Sequence, residues 1–109
     1  MIEQYNLATT QIEKDRIREE MKQAVYDFTA NKKLEDGDKL YYAKNFDGAI
    51  KFYNEAIDLK PNFAWAYNNC GNAYGDLRQY DLAIADYDRA IACKPDYAEA
   101  YNNRGLQSD

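Results

Sequence analysis

Residues 47–61 read Asp-Gly-Ala-Ile-Lys-Phe-Tyr-Asn-Glu-Ala-Ile-Asp-Leu-Lys-Pro, and residues 81–95 read Asp-Leu-Ala-Ile-Ala-Asp-Tyr-Asp-Arg-Ala-Ile-Ala-Cys-Lys-Pro. Ala49, Ile50, Tyr53, Ala56 and Ile57 fall at i, i+1, i+4, i+7 and i+8, and Ala83, Ile84, Tyr87, Ala90 and Ile91 do the same. Such a stripe is the buried side of an amphipathic helix. Pro61 and Pro95 push the preceding residue out of the helical region and so end each helix. Asp47 and Asp81 are expected to cap the starts, and Lys60 and Lys94 suit the negative ends. The two stretches lie 34 residues apart, as do Gly37, Gly71 and Gly105. A fixed period in this range marks a repeat architecture whose units bury their apolar faces on one another.

Between these helices the sequence predicts their partners. Residues 64–77 place Tyr67, Cys70, Gly71 and Tyr74 on one face, and a weaker counterpart runs over about residues 32–43 with Gly37, Leu40 and Tyr41. A helical Gly costs about 1 kcal/mol relative to Ala, so its recurrence argues for close packing, with Ala83 and Ala90 as the expected neighbours. Lys44-Asn-Phe46 and Arg78-Gln-Tyr80 read as tight turns. A third unit opens at a capping box, Asp96-Tyr-Ala-Glu99, and Ala98 to Gly105 copies Ala64 to Gly71 before the chain stops. Residues 1–29 do not fit the repeat register. Thr10-Gln-Ile-Glu13 reads as a capping box opening a helix over about 10–30, with a disordered start before it and a stripe of Ile17, Met21, Ala24, Val25 and Phe28. That stripe is shorter than a coiled coil needs, so this helix is expected to fold back on the array.

The pattern resembles the tetratricopeptide repeat (TPR) family, W-x₂-L-G-x₂-Y, A-x₃-F, P. The second unit reads Tyr67-x₂-Cys70-Gly71-x₂-Tyr74, Ala83-x₃-Tyr87, Pro95; the first reads Lys33-x₂-Asp36-Gly37-x₂-Leu40, Ala49-x₃-Tyr53, Pro61. The third keeps Tyr101-x₂-Arg104-Gly105. The resemblance implies an all-α solenoid of antiparallel hairpins in a right-handed superhelix. It divides residues 30–109 into repeats at 30–63 and 64–97 and a half repeat at 98–109, preceded by an extra N-terminal helix. It also implies a concave groove lined by the first helix of each hairpin, which takes a peptide or protein segment. Carried over by position, the groove residues are Leu34, Asp38 and Tyr41, then Trp65, Asn68, Asn72 and Gly75, then Glu99 and Asn102. Family members that hold an acidic chaperone terminus do so with Lys, Asn and Arg. The corresponding residues here are Leu34, Asp38, Asn69, Glu99 and Asn103, so that specialisation is rejected.

Composition narrows the partner. The net charge is −5, and the whole excess lies in residues 34–109, which disfavours nucleic acid and acidic lipid surfaces. A neutral or basic segment is expected. With no His in the chain and no nucleophile in a recognisable motif, no catalysis, cofactor or metal is expected. No apolar run spans a bilayer and no secretory leader is visible. Cys70 and Cys93 read as small buried hydrophobes in a reducing, cytoplasmic setting. Asn68 and Asn102 read either as groove donors or as solvated faces, Asn69 and Asn103 as solvated faces, and Asp86 and Asp88 as convex-face decoration. The alternative function is self-assembly, giving a homo-oligomer through the N-terminal helix or the last helix.

Overall fold

The structure is a computed structural model that describes residues 2–108, with side chains described for residues 10–107. Five helices follow one another: α1 (Ile2–Tyr42), α2 (Phe46–Leu59), α3 (Ala64–Asp76), α4 (Tyr80–Cys93) and α5 (Ala98–Ser108). No strand occurs among the described residues. The C-terminal part of α1 pairs with α2, and α3 pairs with α4; α2 then packs on α3 and α4 on α5. Helices α1, α3 and α5 meet along one side, and the molecule measures 70 × 28 × 17 Å.

Both hairpins close by the same contacts. Ala49, Tyr53 and Ala56 of α2, and Ala83, Tyr87 and Ala90 of α4, are buried at equivalent positions. The neighbour of each glycine differs from the sequence reading. A Cβ on Gly71 would fall 2.7 Å from the Tyr87 ring, and one on Gly37 would fall 2.6 Å from the Tyr53 ring. The missing side chain therefore admits an aromatic ring, rather than letting Ala83 and Ala90 approach. Ala49, Ile50, Tyr53, Cys70 and Ala73 form one core cluster, and Ala30, Ala56, Phe63 and Ala66 form a second where the hairpins meet.

The turns carry strained residues. Lys44 and Arg78 have φ of 65° and 61°. In each, the amide three residues past the helix reaches back five: Asn45 N–H to Leu40 C=O and Gln79 N–H to Tyr74 C=O, both 2.9 Å or shorter. This is the Schellman stop, which usually places Gly at the left-handed position. Asn45, not Asp47, then caps α2 by accepting the Gly48 N–H at 3.0 Å. Gln79, not Asp81, stands at the α4 cap and makes no side-chain bond. The same shift affects α5, where the Tyr97 carbonyl accepts the Tyr101 N–H, which puts Tyr97, not Asp96, at the cap position.

Three further expectations are corrected. The N-terminal helix neither starts at Thr10 nor folds back: α1 is one unbroken helix from Ile2 to Tyr42, so that its end forms the first arm of the first hairpin, because Ala30-Asn-Lys-Lys contains no breaker. Ile17, Met21, Val25 and Phe28 therefore stand exposed. Cys93 is also exposed, whereas Cys70 is buried. Asp86 is buried, not on the convex surface, and accepts a 2.7 Å bond from Arg89 Nη1. It also lies beside the Cys70 thiol, whose pKa is pushed up by burial and then by that carboxylate.

Candidate functional site

A cleft of about 310 Å³ runs across α1, α3 and α5, walled by Leu34, Asp38, Tyr41, Tyr42, Tyr53, Trp65, Asn69, Asn72 and Glu99. Two of its positions are set by the hairpin cores. Because Gly37 and Gly71 admit the Tyr rings, the hydroxyls reach through to the first helices. Tyr53 OH donates to Asp38 Oδ1 at 2.5 Å and Tyr87 OH to Asn72 Oδ1 at 2.6 Å. Asn69 Nδ2 of α3 also donates to Asp38 Oδ1, at 3.0 Å, which ties the two hairpins together. Burial, reinforced by the neighbouring carboxylate, raises the Tyr53 phenol above its ordinary range. Tyr41 is raised by burial and then by its bond to Asp76. These phenols stay protonated donors at neutral pH.

Of the nine residues the sequence nominates, six line this cleft: Leu34, Asp38, Tyr41, Trp65, Asn72 and Glu99. Trp65 is 61% exposed and also edges a second hollow with Phe63, Tyr97, Lys60 and Lys94. Asn68, Gly75 and Asn102 do not line the cleft. Asn68 is fully buried, its Oδ1 accepting from Asn103 Nδ2 of α5 at 3.2 Å while its own Nδ2 is unpaired. It is therefore neither a groove donor nor a solvated face. Asn102, its repeat equivalent, is exposed because no described element packs on α5 in the way that α5 packs on α3. The sequence reading of the groove did not include Tyr42, Tyr53 and Asn69. The signal for Tyr53 was present, since a Gly that recurs in step with a Tyr on the facing helix is a notch for its ring.

The walls carry two carboxylates, Asp38 and Glu99, and no Lys or Arg. With Trp65 and Tyr42 exposed beside amide groups, the cleft offers aromatic faces, hydrogen-bonding groups and negative charge. Binding sites for peptides are built from these parts.

A sequence profile described as TPR repeat matches residues 37–77, and one described as tetratricopeptide repeat matches residues 64–97. The chain belongs to the tetratricopeptide repeat family. No curated protein matches it. Among solved structures, it is similar to the first TPR of Spaghetti (RPAP3) bound to the HSP90 peptide SRMEEVD. That similarity has 28% identity and a TM-score of 0.73, and covers 74% of this chain and 64% of that one. The TPR2B domain of yeast Sti1, in its pHsp70 complex, is 27% identical with a TM-score of 0.73, covering 74% and 65% of the two chains. The Arabidopsis OM64 TPR domain is 28% identical with a TM-score of 0.73, covering 75% and 68%. The chain thus spans just under two thirds of the first two relatives. No described helix is long and apolar enough to cross a membrane.

Proposed function

We propose that this TPR chain is a non-catalytic, cytoplasmic interaction scaffold whose cleft takes a neutral or basic peptide segment. The observation that carries this reading is the pairing of an exposed Trp65 with Asp38 and Glu99 on walls without a cation. Related TPR structures hold peptides from HSP90 and Hsp70, which supports peptide binding as the class of activity. The acidic SRMEEVD type fits this cleft poorly. Its carboxylates would face Asp38 and Glu99, and Asn69 is already engaged with Asp38. Like charges at contact oppose association by several kcal/mol where desolvated.

A display screen of random peptides against the whole chain tests the assignment. Ligands enriched in Lys or Arg are expected, with binding reduced at least tenfold by Trp65→Ala and by Glu99→Lys. Ligands indifferent to both substitutions would refute the groove.

A second reading, self-assembly, is favoured by a separate observation. Ile17, Met21, Val25 and Phe28 form an exposed apolar stripe on α1, and large apolar side chains exposed together on one helix face favour burial against another chain.

A further inference from the structure

The stripe on α1 and the outer side of α5 are both uncovered, and the molecule shows twice what covers a side like that of α5. Gly37 receives the Tyr53 ring and Gly71 the Tyr87 ring, while nothing lies within 4 Å of a Cβ on Gly105, their counterpart on α5. The covering helices share one order of residues: Phe46-x₂-Ala49-Ile50-x₂-Tyr53 in α2 and Tyr80-x₂-Ala83-Ile84-x₂-Tyr87 in α4. The same order occurs once more, outside the 34-residue register, as Met21-x₂-Ala24-Val25-x₂-Phe28 in α1.

The differences between these copies are complementary. Tyr53 and Tyr87 need an acceptor for their hydroxyls and find Asp38 and Asn72. The residue 34 positions after Asn72 is Leu106, which is 74% exposed and accepts nothing. A ring entering the Gly105 notch should therefore lack a hydroxyl, and Phe28, 73% exposed, lacks one. Charge agrees. Cys70 lies beside Asp86, the third residue after Ala83. Arg104 stands 34 positions after Cys70, and Asp27 is the third residue after Ala24. Arg104 already bonds Asp88 at 2.9 Å, and a guanidinium has donors enough to meet a second carboxylate.

Resting on the self-assembly reading, we propose that α1 of one copy docks on α5 of a second, with Phe28 over Gly105 and Asp27 beside Arg104. The contact has to join two molecules, because α1 is one unbroken helix that packs on α2 and α3 and not on α5. It is head-to-tail, so each added copy leaves one stripe and one notch available.

Sedimentation over a range of concentrations tests this with the whole chain, Phe28→Lys, Gly105→Leu and an equimolar mixture of the two variants. Both positions are exposed and helical, so circular dichroism should be unchanged. The expected result is a wild-type mass that rises past that of a dimer and two variants that each stay monomeric. Their mixture should form a 1:1 heterodimer and stop there, because one copy supplies the only intact stripe and the other the only intact notch. A wild-type chain that stays monomeric throughout would overturn the self-assembly reading and this docking with it. Wild-type assembly that survives Gly105→Leu, or a mixture that stays monomeric, would leave self-assembly standing and overturn this docking.

Discussion

At Gly71 an added Cβ would meet the Tyr87 ring at 2.7 Å, whereas at Gly105 it would meet open space. The same substitution should therefore act in opposite directions. Gly71→Ala, and Gly37→Ala likewise, crowds a buried ring and is expected to cost about 1–3 kcal/mol by overpacking, less the gain in helix propensity. Gly105→Ala should stabilise by up to about 1 kcal/mol, since only the propensity changes. Urea unfolding followed by circular dichroism reads both. The rings themselves set an alkaline limit. Burial and then the Asp76, Asp86 and Glu99 charges push Tyr87 up to about 12, and Tyr97 is likewise raised to about 12 by burial and then by Glu99. An unfolded Tyr ionises near 10. Between these values the unfolded chain releases its phenol protons first, so stability is full below pH ~10 and falls as pH rises toward 12. Thermal melts from pH 8 to 12, with tyrosinate absorbance followed in parallel, should show the loss confined to that window.

Among the elements, the two turns are where local preference is violated. Lys44 and Arg78 sit in the left-handed region, which a side chain disfavours and glycine does not. Lys44→Gly and Arg78→Gly should each stabilise the protein by about 1 kcal/mol, measured as a shift in the urea midpoint. These turns were legible in the sequence as turns, because they fall between the apolar stripes of paired helices and recur 34 residues apart. Their capping was not legible: the helix stop consumes two residues, which moves the cap back to Asn45 and Gln79, and neither Asp is reached. The hairpins and their register were legible for a plain physical reason. A 34-residue period fixes which faces are apolar, and the buried alanines and tyrosines follow from it. Asn68 was opaque, since its environment is made by α5 across a repeat boundary, and single-helix periodicity does not report that. The continuity of α1 was equally opaque, because the segment after Phe28 contains neither a breaker nor a strong preference.

At the scale of the whole molecule, the first part of α1 and the repeat body differ in support. Residues 10–28 are exposed apart from the half-buried Asp27, and isolated helices of this length are marginal in water. In dilute solution their amides should exchange with solvent orders of magnitude faster than those of α3 and α4, whose opening approaches global unfolding. Hydrogen exchange by mass spectrometry reads the contrast. Equal protection in both regions would mean that another surface covers the segment. The cleft, by contrast, is held by the body itself: Asp38 is fixed by Tyr53 and Asn69, and Asn72 by Tyr87. A preformed site loses less freedom on binding. Trp65 is the single Trp of the chain and stands at the cleft wall, so its fluorescence reports occupancy directly. The most direct measurement is a pair of titrations of the whole chain, one with a Lys-rich peptide from the display screen and one with SRMEEVD. The expected result is a saturable change in Trp65 emission with the basic peptide, weakened by salt and by Glu99→Lys, and none with the acidic one. Saturable binding of SRMEEVD, or basic-peptide binding insensitive to Glu99→Lys, would contradict the account.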